Sequence, residues 1–99
     1  MNKISSYIGF AIKANKFISG QTPLKYTKER LHLVLVCSSA SDNLKDLARN
    51  IANKQQCALI ITRVNLSELI HRENIKICGI TDENLSKAII NNKEIISIG

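Results

Sequence analysis

The chain has 99 residues, 44% of them hydrophobic, and carries 14 Lys and Arg against 8 Asp and Glu, a net charge of +6 that favours an anionic partner. That length suits one domain, residues 1–99, able to bury roughly two thirds of its unfolded surface without staples. No run approaches the roughly 18 apolar residues of a membrane span, and Met1-Asn2-Lys3 leads into serine-broken sequence with no small-residue cleavage site, so a cytoplasmic protein with no membrane partner is expected.

Ile4, Tyr7, Ile8, Ala11 and Ile12 recur at helical spacing, and Asn15, whose short side chain tolerates positive φ, is placed to end that helix. "KFIS" is then a short extended piece. Gly20 turns the chain, and Thr22-Pro23 reads as an N-cap followed by proline at the first position of a short helix running to about Arg30. "LHLVLV", from Leu31, is rich in large apolar residues and reads as a strand buried on both faces. Leu44, Leu47, Ala48, Ile51 and Ala52 make the stripe of the next helix, which has a capping-box-like start at "SASD", Ser39 to Asp42. "CALIIT" follows as another buried strand. Asn65-Leu66-Ser67-Glu68 opens the helix "LSELIHRE", "IKICGI" is a strand, Thr81-Asp82 caps "ENLSKAII", and "EIISI" is a short terminal strand. The alternation predicts a three-layer α/β/α sandwich, with a mixed central sheet of about four strands and helices on both faces.

Cys37, Cys57 and Cys78 are odd in number, far apart and flanked by apolar residues, which predicts buried reduced thiols rather than a disulfide framework or a metal pair. His32 lies between leucines and His71 between a helix and charged residues, ordinary structural settings for both. The four glycines, at 9, 20, 79 and 99, assemble neither a dinucleotide fingerprint nor a phosphate loop. With no nucleophile beside a base and no carboxylate pair, the expectation is a protein that is not an enzyme and binds no metal or cofactor.

The region after Gly20 offers more. A helix start presents unpaired N–H groups, Gln21 and Thr22 add side-chain donors, and Lys25 and Lys28 lie three apart on one helical face, where they could neutralise phosphate. The same residues also read as a turn, a cap and two solvated lysines, and their chemistry alone supports both readings equally. Thr62, Arg63 and Val64 form a second element, at the end of a buried strand where α/β folds place ligand loops. Val64 either packs locally or rests on an unstacked base.

"YIGFAIKANKFISG" resembles the opening of the bacterial YlxQ-like proteins, related to YbxF, in the family of archaeal ribosomal proteins L-seven-Ae and L-thirty-e. Gly9, Ala11, Lys13, Ala14, Lys16, Ser19 and Gly20 fall on its pattern. The resemblance continues through "LHLVLVCSSASDNLKD" and "LSELIHRENIKICGITDENLSKAI" and covers nearly the whole chain. It implies an α/β/α sandwich that binds RNA kink-turns, with the Gly-led start of the second helix in the widened major groove at the sheared G·A pairs and the later loop over a flipped nucleotide. Carried over, the expected RNA-binding residues are Lys16, Ser19, Gly20, Gln21, Thr22, Lys25, Lys28, Thr62, Arg63 and Val64. The implied partner is structured RNA, whether a kink-turn, ribosomal RNA or another non-coding RNA, in the translation machinery and on the ribosome, with the protein acting as a monomer.

The chain departs from the family pattern in two places. Gln21-Thr22-Pro23 stands where family binders place Asn or Lys and then Glu or Gln, and Ser67 and His71 replace glycines that commonly follow the second loop. Preference for a kink-turn over other RNA turns on the first of these. The alternative function is a protein-interaction module docking on a ribosomal or RNA-processing partner, with kink-turn binding lost. Acidic residues along the edge would favour that alternative, and none lies between Ser19 and Lys28.

Overall fold

The computed structural model describes residues 3–62, 66–70, 75–91 and 96–98. Along the chain run α1 (Lys3–Lys13), β1 (Phe17–Ser19), α2 (Gln21–Tyr26), β2 (Leu33–Cys37), α3 (Asp42–Gln55), β3 (Ala58–Thr62), α4 (Leu66–Ile70), β4 (Ile77–Ile80), α5 (Glu83–Asn91) and β5 (Ile96–Ile98). Among these residues no helix is long and apolar enough to cross a membrane.

The strands form one mixed sheet in the order β1-β4-β2-β3-β5, five strands with the short terminal one included. Only β2 and β3 are parallel; β1 with β4, β2 with β4, and β3 with β5 are antiparallel. Every residue of β2 is buried, as an apolar central strand covered on both faces must be. Its covers are two helix groups, with α1 packed against α4 and α5, and α2 against α3. The fold is therefore an α/β sandwich.

Local chemistry explains how the longer helices stop and start. At the end of α1, Asn15 takes φ 58 while the Lys16 N–H donates to the Ala11 carbonyl at 2.7 Å and the Asn15 N–H to that of Ile12 at 3.2 Å, a Schellman motif with the asparagine in its left-handed place. The end of α3 repeats the motif with Gln56 at φ 54. Ser41 caps the start of α3 by accepting from the Leu44 N–H at 3.2 Å, and Asp82 caps α5 by accepting from the Leu85 N–H at 2.7 Å.

Helix α2 departs from expectation at both ends. Its N-cap is Gly20 rather than Thr22, since the Leu24 N–H already donates to the Gly20 carbonyl at 3.3 Å, and Pro23 sits at the third helical position, where no N–H is needed either. The helix stops at Tyr26 instead of Arg30. Thr27 turns extended, its hydroxyl accepts from the Glu29 N–H at 3.1 Å, and the Gln55 amide of α3 contacts the Glu29 carbonyl and the Leu31 N–H. These bonds fasten residues 27–31 as a loop.

A six-residue helix is not stable on its own. Leu24 anchors it, 2% exposed, a burial worth about 1.5–3 kcal/mol. Gly79 of β4 makes the room: a Cβ there would meet Leu24 Cδ2 at 2.6 Å and Leu31 Cδ2 at 2.9 Å. A strand glycine that lets two leucines down onto the sheet thus sets the position of α2.

Cys37 and Cys78 are buried as expected, and Cys57 is half-buried; all three are free thiols. Burial pushes the Cys78 thiol well above its ordinary range, and it raises Cys57 against the opposing pull of Arg30. Cys37 also ties elements together, accepting from the Leu66 N–H at 3.2 Å and lying 3.7 Å from the Ile75 carbonyl. Ser67 fastens the same place, its hydroxyl accepting from the Ile75 N–H at 2.8 Å. The anticipated Asn65 cap and His71 lie outside the described residues.

Candidate nucleic-acid interface

Strand direction gathers one edge. Ser19 stands opposite Cys78, Val36 opposite Ile77 and Cys37 beside Thr62, so β1, β2 and β3 end, and β4 begins, at the same end of the sheet. Gly20, Ser38 and Lys76 therefore share that edge. Three hydrogen bonds stitch it: Gly20 N–H to the Ile77 carbonyl at 3.1 Å, Cys37 N–H to that of Lys76 at 2.9 Å, and Ser38 N–H to that of Thr62 at 2.9 Å.

Gly20 sits at φ 93, ψ 150, a conformation that only glycine adopts freely. A Cβ there would have space, since its nearest neighbour, Pro23 Cδ, is at 3.5 Å, so the constraint is the backbone and not crowding. From this turn α2 projects Gln21, Thr22 and Lys25, all exposed, while Leu24 points inward. Tyr26 is 71% exposed, and the Lys25 ammonium lies 5.6 Å from the centre of its ring.

Two grooves run along this edge. The larger, about 480 Å³, lies between α2 and α3 and is lined by Gln21, Thr22 and Tyr26 on one side and Asn43, Leu44 and Leu47 on the other. The smaller, about 330 Å³, passes Gly20, Lys76 and Ile77 and shares Gln21 and Leu44 with the first. Among the described residues, no carboxylate lines either groove.

The structure brings together Ser19, Gly20, Gln21, Thr22 and Lys25, with Ser19 half-buried at the end of β1. Three expected residues are elsewhere. Lys16 is at the far end of β1, where its carbonyl accepts from the Thr81 N–H, and the three residues of the strand set it roughly 13 Å of extended chain from Gly20. Lys28 is exposed in the fastened loop beyond α2, so it does not share a helical face with Lys25. Thr62 is fully buried, its hydroxyl 3.5 Å from the Val36 carbonyl, and it supports the edge from below without facing solvent. Arg63 and Val64 lie outside the described residues.

Lys76, Tyr26 and Asn43 are on the edge although the sequence did not single them out. Tyr26 carried a signal, an aromatic between two lysines three apart. Lys76 carried almost none, because its place depends on β4 lying beside β1. Among the described residues no cluster of three or more His, Cys, Asp or Glu side chains is placed to hold a metal.

No protein-family profile matches the chain, and no curated protein is similar to it in sequence. A solved structure of a protein of unknown function from Bacillus halodurans is similar in fold, with a TM-score of 0.76 and 18% identity over 92% of this chain and 96% of that one. Likeness at that identity concerns the fold alone.

Proposed function

We propose that this is a non-enzymatic RNA-binding protein of the translation machinery, acting in the cytoplasm on a kink-turn or similarly structured RNA, as its resemblance to the L-seven-Ae family implies. The observation that supports the reading best is the α2 edge: uncharged donors and lysines, with no carboxylate among the described residues that line its grooves. In this reading the bare backbone at Gly20 allows close approach to RNA. Gln21 and Thr22 meet base edges, which carry sequence and shape, and Lys25 and Lys76 meet phosphates, which position the complex. Arg63 and Val64 enter only through the resemblance, over a flipped nucleotide.

Titration at fixed salt against a kink-turn, the same RNA with its G·A pairs replaced by Watson-Crick pairs, and a plain duplex of equal length tests this. The kink-turn should bind tightest, since phosphate contacts alone do not discriminate. Equal affinity for all three would remove the kink-turn assignment, and binding of none would remove the RNA reading.

A further inference from the structure

The groove between α2 and α3 contains more than a kinked helix needs at Gly20. Its floor is apolar, from the half-buried Leu44 and Leu47, and its rim is polar, with Lys25 as the charged group. Tyr26 stands on the rim 71% exposed, although its neighbour Leu24 is packed into the core. At about 480 Å³ the groove falls within the roughly 300–1,000 Å³ range of sites that enclose small organic groups.

Continuity and charge then select the occupant. Because Gln21 and Leu44 line both grooves, the surface is one track from Tyr26 to Gly20, with Lys25 near one end and Lys76 at the other. An apolar floor with an aromatic rim accepts the flat face of any base, and cations at both ends accept the phosphates that link bases. A linear polyanion with planar side groups satisfies every part of the track.

We propose that the α2–α3 groove holds single-stranded nucleotides leaving the structured RNA bound at Gly20, with one base stacked on Tyr26. This rests on the RNA-binding reading above but adds a second contact to it. Tyr26→Ala should fold normally, because the ring is exposed, and Tyr26→Phe should keep the stack.

The test compares a blunt kink-turn RNA, the same RNA with a short unpaired extension at either end, and the extension alone, each extension carrying 2-aminopurine. Wild type and Tyr26→Phe should bind one of the extended RNAs more tightly than the blunt one by roughly 5- to 150-fold, the ratio for one base–aromatic stack, with a change in probe fluorescence. Tyr26→Ala should lose that gain, with blunt RNA, which places no base in the groove, bound as by wild type. Blunt RNA bound with no gain from either extension, or equal weakening of both by Tyr26→Ala, would overturn the proposal and leave RNA binding intact. Binding of the extension without the blunt RNA would instead sustain the groove and end the kink-turn reading, while binding of no RNA would end both. Concentration-dependent dimerisation abolished by Tyr26→Ala would assign the groove to a second copy and overturn the proposal as well.

Discussion

The two ends of the sheet are both basic, yet they differ in what surrounds the charge. At the α2 end, Lys25 and Lys76 border grooves lined by amides, hydroxyls and leucines, with no carboxylate among the described residues. At the other end, Arg30, His32 and Lys87 surround a cavity of about 240 Å³ that also contains Glu83, and the Lys87 ammonium pairs with Glu83 at 3.2 Å. That exposed pair adds little stability, but it cancels charge that a phosphate would otherwise feel. Counting lysines therefore does not tell the two ends apart; the company they keep does.

Substitution at Gly20 should give the largest contrast between the ends. Gly20→Val forces a β-branched residue into φ 93, costs about 1–3 kcal/mol of stability, and should weaken RNA binding by more than about tenfold. Calorimetry and titration together check this, and full binding with a normal melting temperature would show that the turn is not an RNA contact.

Gly79→Ala reaches the same edge from beneath. The added methyl would clash with Leu24 and Leu31, cost about 1–3 kcal/mol, and displace α2, so binding should fall although the residue itself is buried. Chemical shift changes confined to α2 and its neighbours, with the α5 surface unmoved, would be the signature.

Lysine pairs sharpen the comparison further. Lys25→Ala with Lys76→Ala should lower the log-log salt slope of RNA binding by about two, whereas Lys16→Ala with Lys87→Ala should leave it unchanged. The reverse result would move the interface to the far end.

The smallest effect concerns the thiols. Cys37 and Cys78 should stay unlabelled in the native protein. Cys57, half-buried beside the far cavity with its thiol pKa raised, holds less thiolate at a given pH than a free cysteine and should label slowly, faster as pH rises. Labelling by a disulfide reagent across a pH series would read this, and rapid labelling near neutral pH would contradict it.

Element order was legible because apolar stripes and alternating strand runs follow from burial, which acts on each segment in turn. Where local chemistry had two solutions, the tertiary structure chose between them. Thr22-Pro23 carried the signature of a cap, but Gly20 can begin the helix with its own backbone, and Leu24 settling over Gly79 fixes that register. The candidate edge was legible where it is contiguous, from Ser19 to Lys25. Lys16 falls outside that edge because nearness along an extended strand is not nearness in space, and Thr62 because a strand's last residue faces solvent or core according to its neighbours. Lys76 depended on a strand order that no local pattern encodes.

Backbone amide mapping by NMR during titration with a kink-turn RNA tests the difference between the two ends most directly. RNA reading at the α2 edge predicts the largest shifts at Gly20, Gln21, Thr22, Lys25 and Lys76, with His32, Glu83 and Lys87 unmoved. Shifts of equal size at both ends, or centred on His32 and Lys87, would contradict it.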